Sequence, residues 1–183
     1  GIHFYDLAQY EADDIIGTSI HLMLEELQPN LWEANLERCV DYGHTFSPTV
    51  EMKALPELLH GEAVCVDMAL SSVLSFHRGN MTQEELYHVL SIMYSLDLPI
   101  WNSALEEPSV LNVALADTIR HRGGKQRIPL PIGIGDYKFA NDVSEDEITH
   151  ALNTLRTINN TWRGGKTAAL ETVRELGQKY EVG

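Results

Sequence analysis

The chain has 183 residues, 44% of them hydrophobic, enough for one domain with a substantial core. Its 27 acidic residues against 13 Lys and Arg give a formal charge of −14, so its summed field repels polyanions and excludes nucleic acid as a partner short of a strongly segregated basic face. No apolar run approaches the roughly 20 residues that span a bilayer, and the opening GIHFYDLAQYEADD lacks the basic and apolar regions of a secretion signal.

The protein therefore reads as cytoplasmic, and the sequons at Asn80 and Asn159 read as chance matches. Cys39 and Cys65 are the only cysteines, outside any C-x-x-C spacing, and are expected as small buried hydrophobes in a reducing compartment. The chain starts with Gly1 rather than methionine, which raises the reading of a fragment.

Ile16, Ile20, Met23, Leu24 and Leu27 recur at helical spacing before Pro29, predicting an amphipathic first helix with one wet face. Asn30 and Glu33 stand at capping-box spacing and predict a short second helix toward Cys39, which delivers the chain into DYGHTFSP, Asp41 to Pro48. Ser47 and Pro48 make an N-cap and first-turn pair for a short helix through Met52. His44 thus falls in a connection between helices.

After Pro56, GEAVCVDMALSSVLSFHRG is apolar around most of its circumference, as a central helix packed on several sides requires, with His60 at its start and Gly79 at its end. Thr82 with Glu85 opens a helix carrying Leu86, Val89, Leu90 and Met93. A further helix fits residues 109–122, stopped by Gly123 and Gly124. In QRIPLPIGIGDYKFAND the prolines forbid a helix, and β-favouring residues flank a Gly-rich turn, predicting a two-stranded hairpin. Ser144 with Glu147 caps a last helix bearing Ile148, Leu152 and Leu155. The pattern is mainly α with a small β-hairpin: one domain over residues 1–163, then a loosely attached helical tail over 164–183.

Two glycine patterns carry no phosphate chemistry. RGGKT has Asn160 where a Walker A loop needs glycine, and GIGIG lacks the third glycine and following helix of a dinucleotide fingerprint. His44 and His60 lie sixteen residues apart, too far for one helix face. Each adjoins a glycine at a change of chain direction, so two imidazoles converging on one zinc ion and two ordinary polar histidines are both open. Glu51 and Glu62 are near in sequence, but neither is compelling as a third ligand. The run RHRGGKQR gathers Arg120, His121, Arg122, Lys125 and Arg127 in an acidic protein; it suits a phosphate or carboxylate at a helix end, or cations complementing the helix dipole.

DYGHTFSPTVE, followed by LPELLHGEAV and then RHRGGKQRIPLPIGIG, resembles the metal-binding signature of the dehydroquinate synthase superfamily, the sugar phosphate cyclases. The similarity runs from the first helix to the third capping box. GHTFSP and HRxGxQRxPLP are the forms of the valiolone-type branch, which closes sedoheptulose 7-phosphate. Dehydroquinate synthases proper carry asparagine and a second histidine where this chain has Asp41 and Pro48. The gadusol-type branch uses the same heptulose phosphate and carries a small apolar residue at position 41.

The resemblance implies the helical C-terminal domain of a dehydroquinate synthase-like fold. It implies His44 and His60 as ligands of zinc or cobalt, Asp41 and His121 as catalytic groups, and Arg122 and Lys125 as substrate-binding groups. The third metal ligand, a glutamate, and the NAD-binding domain would lie upstream of residue 1. The implied activity is that of an NAD-dependent carbon–oxygen lyase, a phosphate-eliminating cyclase that is a homodimer at full length, with the isolated fragment binding zinc weakly and turning over nothing. The rival from another class is a non-catalytic helical binding or assembly module. The retained histidine pair and basic segment favour the enzyme.

Overall fold

A computed structural model describes residues 9–163 of the chain. The central element is α3 (His60–His77), whose apolar circumference predicted its place: Ala63, Val66, Ala69, Leu70, Val73 and Leu74 are all buried. Around it pack α2 (Ser47–Ala54), α4 (Gln83–Ser95), α6 (Glu145–Arg163) and a hairpin of β1 (Ile128–Ile132) with β2 (Asp136–Ala140). Helix α5 (Pro108–His121) lies against α2 and closes the far side. Pro108 stands at its first turn, where a missing N–H removes nothing from the helix.

Both later capping boxes form as expected. Thr82 Oγ1 accepts from the Glu85 N–H at 3.2 Å while the Glu85 carboxylate accepts from the Thr82 N–H at 2.8 Å, and Ser144 and Glu147 repeat the exchange at 3.2 and 2.9 Å. Glu147 also receives the Arg78 guanidinium from the end of α3, and that bond, with its cap, holds its carboxyl down at about 2. Along α6, Ile148, Ala151, Leu155, Ile158 and Trp162 recur at helical spacing and are buried. Trp162 meets the edges of Tyr87 and Tyr94 on α4.

The hairpin is antiparallel, with Ile128 opposite Ala140 and Ile132 opposite Asp136, and its turn uses Gly133 and Gly135 at positive φ. Its inner residues Ile128 and Leu130 join the core, and Ser75 of α3 donates to the Pro131 carbonyl. Cys65 is buried as expected. Cys39 is half-buried, and its thiol donates to Glu26 at 3.2 Å.

Three expectations need correction. The helix after Asn30 does not form: a 3-10 turn covers Gln28–Asn30, residues 33–38 are irregular, and Glu33 sits at φ +50°. The Asn30 side chain instead bonds the Asn35 backbone twice, at 2.7 and 3.0 Å, closing a loop where a cap was expected. Ser47 is the first residue of α2 rather than its cap, since Phe46 occupies the cap position and the Ser47 hydroxyl has no partner. Helix α1 (Gln9–Leu27) forms where its period predicted, but Ile16, Ile20, Met23 and Leu24 are each about half exposed, so its apolar face meets no core among the described residues. The expected tail over 164–183 lies outside the described residues. No described helix is long and apolar enough to cross a membrane.

Candidate metal and substrate site

The loop between the 3-10 turn Cys39–Asp41 and α2 is pressed onto α3 at Gly43. This glycine sits at φ +81°, and a Cβ there would stand 2.7 Å from Met68 Cγ and 2.9 Å from Val64 Cγ1. Beyond it, the buried carboxylate of Asp67 on α3 accepts from the backbone N–H groups of Phe46 at 2.5 Å and Ser47 at 2.9 Å, and from the Ser71 hydroxyl at 3.1 Å. Asp67 therefore caps α2 from a neighbouring helix, the service expected of Ser47. Burial pushes its carboxyl up while these donors pull it down. From α5, the Thr118 hydroxyl donates to the Thr45 carbonyl at 2.8 Å, and Arg122 Nη2 donates to the His44 carbonyl at 3.3 Å. The backbone that carries His44 is thus held from both α3 and α5.

Helix α3 begins at His60, and its first turn brings that ring to His44: the two centroids are 5.7 Å apart with planes at 59°. His44 Nδ1 lies 3.3 Å from the Tyr42 carbonyl, and His60 Nδ1 lies 2.8 Å from Glu51 Oε2. Neither oxygen has a proton to give, so both Nδ1 atoms donate, and in the neutral rings the lone pair is on Nε2. Two imidazoles bonded to one tetrahedral ion at the usual distance have centroids roughly 5 Å apart, so the pair fits zinc with little adjustment. No group of three His, Cys, Asp or Glu side chains suited to a metal occurs among the described residues. The Glu62 carboxylate is taken by the Leu59 N–H at the start of α3, at 2.8 Å.

Beside His44 opens a cavity of about 360 Å³ whose lining includes Arg38, Asp41, Thr45, His121 and Arg122. Asp41 is buried between two guanidinium groups, with Arg38 Nη2 donating to it at 2.6 Å and Arg122 Nη2 forming an ion pair at 3.5 Å. The Asp41 carboxylate raises the Arg38 pKa, whereas burial lowers that of Arg122. Arg122 also donates to the carbonyls of Gln126 at 3.2 Å and Arg127 at 2.9 Å, so much of its guanidinium is committed to the protein. His121 is exposed at the last turn of α5 on the cavity wall. Lys125 lies exposed on the turn after Gly123 and Gly124, outside that lining. A second cavity of about 560 Å³ lies on the other side of Arg38, against Glu26, Cys39 and Tyr137.

The structure thus gathers Asp41, His44, His121 and Arg122 at one cavity and sets His60 against His44, while Lys125 stands apart. Sequence reasoning passed over Arg38, Thr118 and Asp67. Arg38 precedes Asp41 by three residues, a pairing distance, and Asp67 is a lone charge in an apolar helix, which calls for buried partners.

A family model described as 3-dehydroquinate synthase C-terminal matches residues 3–119. The chain belongs to the dehydroquinate synthase family. Within the family, this C-terminal segment is 59% identical over 165 residues to a 2-epi-5-epi-valiolone synthase of Streptomyces albus, covering 90% of the chain and 40% of that protein. A solved structure of the 2-epi-5-epi-valiolone synthase ValA from Streptomyces hygroscopicus subsp. jinggangensis, with NAD+ and Zn2+ bound, superposes with a TM-score of 0.77 at 57% identity, covering 79% of this chain and 40% of that one. A demethyl-4-deoxygadusol synthase of Trichormus variabilis is 36% identical over 149 residues, covering 81% of the chain and 36% of that protein. The family segment described here therefore spans about 40% of the length of the valiolone synthases it matches.

Proposed function

We propose that this chain is the metal- and substrate-binding half of an NAD- and zinc-dependent sugar phosphate cyclase of the valiolone type, acting on sedoheptulose 7-phosphate. The observation that carries the proposal is the His44 and His60 pair, 5.7 Å apart with each Nδ1 tied to an acceptor, beside a cavity holding Asp41 and His121. The difference between 59% identity to a valiolone synthase and 36% to a gadusol synthase favours the valiolone substrate and product.

In this reading His44 and His60 hold zinc through Nε2, and NAD is held by the part of the protein that the longer relatives possess and this chain does not span. Zinc supplies Lewis-acid polarisation of a substrate hydroxyl and of the carbonyl derived from it. The protein's own groups do the rest. Asp41, braced by Arg38 and Arg122, presents a fixed carboxylate that accepts a substrate hydroxyl. His121, exposed on the cavity wall, places an imidazole within reach of a substrate held there, as a proton-transfer group. Arg122 and Lys125 offer positive charge to the phosphate at the end of α5.

The test is a chimera in which this chain replaces the matching segment of the Streptomyces hygroscopicus synthase. Supplied with NAD+ and zinc, it is expected to release phosphate from sedoheptulose 7-phosphate and form a cyclitol identified by mass, and His44→Ala is expected to abolish both. A folded, NAD-binding chimera that leaves sedoheptulose 7-phosphate intact would overturn the assignment. Turnover of the dehydroquinate synthase substrate instead would move it to that branch, and inertness toward both would favour the binding-module reading.

A further inference from the structure

We propose that Glu51 is a positioning residue of the metal site, whose carboxylate fixes the His60 ring so that Nε2 is the nitrogen offered to the ion; the role rests on the metal assignment above. Glu51 lies on α2 and His60 opens α3, so the 2.8 Å contact joins two helices through residues nine apart in sequence. The His60 side chain is 64% exposed, so packing does little to hold its ring, whereas that of Glu51 is 27% exposed. Glu51 stands next to Val50, which is 1% exposed in the core, and the N-terminus of its helix is capped by Asp67. The carboxylate thus rides on a well-fixed helix and can orient a side chain that is otherwise loose.

The chemistry of the pair sets the tautomer. An ionised carboxylate only accepts, so in the neutral ring the bond places the proton on His60 Nδ1 and leaves the lone pair on Nε2. Carboxylate partners of this kind hold the ring of a metal-bound histidine in a fixed orientation. His44 has only a neutral carbonyl as its acceptor, at a longer 3.3 Å. The two ligands are therefore unequal: His44 is placed by its backbone, and His60 by Glu51.

The experiment is a zinc titration of the chain, followed by residue-assigned imidazole proton and nitrogen spectra, for the wild type, Glu51→Ala and Glu51→Gln, with thermal transitions confirming that each variant is folded. In the wild type, His60 is expected as a single Nδ1–H tautomer, with His44 and His60 signals moving together as zinc is added. Glu51→Ala is expected to give a mixture of His60 tautomers and to raise the zinc midpoint about 10–100-fold. Glu51→Gln keeps an acceptor without the charge, so it should keep the tautomer while raising the midpoint less. A Glu51→Ala protein with an unchanged His60 tautomer and a midpoint within about twofold of wild type overturns the proposal. If zinc moves neither histidine of the unsubstituted chain, the metal assignment itself fails and the role of Glu51 falls with it.

Discussion

Replacing Gly43 by alanine tests how the His44 loop is seated. At φ +81° the backbone is in the left-handed region, where an L-residue costs about 1–2 kcal/mol. The new methyl would also lie 2.7 Å from Met68 Cγ, 2.9 Å from Val64 Cγ1 and 3.0 Å from the Val64 carbonyl. The Met68 side chain can turn away. The Val64 carbonyl belongs to the buried central helix, so the loop must move instead, and overpacking of this kind costs about 1–3 kcal/mol. The total is roughly 2–4 kcal/mol once the lower entropy of the unfolded alanine chain is allowed for. Gly79 supplies the control, because it sits at φ +69° with nothing within 4 Å of the added Cβ, so Gly79→Ala carries the backbone penalty alone. Urea unfolding of both variants should place Gly43→Ala below Gly79→Ala by about 1–3 kcal/mol. Equal midpoints for the two would refute the claim that contact with α3 positions the loop.

Two further perturbations probe buried groups. Asp67→Ala leaves the Phe46 and Ser47 N–H groups without their acceptor, at about 1–3 kcal/mol for each buried donor, and should lower the thermal midpoint well below that of Asp67→Asn, which keeps one acceptor oxygen. His77 is pushed down to about 4 by burial and by neighbouring His150, so the unfolded chain takes up its proton first as the pH falls. Stability from this group is full above about 6.5 and is lost as the pH drops toward about 4; urea midpoints measured across that window should decline less steeply in His77→Gln, and identical slopes would contradict the assignment.

How much could be read in advance depended on the range of the interactions. The Thr82 and Ser144 caps were legible because each is closed within three residues, and α3 was legible because its residues are apolar on every side. Asn30 and Glu33 have the same spacing and failed, since no regular apolar face follows them and the Asn35 backbone makes two bonds with the Asn30 amide. The apolar stripe of α1 predicted a helix correctly but carried no information on what would cover it. At the site, residue types were readable and distances were not: sixteen residues of sequence do not encode a 5.7 Å approach, which depends on α2 folding back beside α3. Glu51 stood in view in the sequence, yet its bond to His60 exists only because those two helices meet.

The uncovered stripe on α1 continues into Leu31 and Trp32, the latter 94% exposed, on a molecule that carries fourteen surplus negative charges. These two properties oppose each other in colloidal terms. At low ionic strength like charge opposes contact between their apolar edges. At about 0.1 M salt the field reaches only about 10 Å, and the attraction between stripes is no longer masked. For this protein, added salt is therefore expected to promote self-association, and a dilute, low-salt buffer to keep it dispersed.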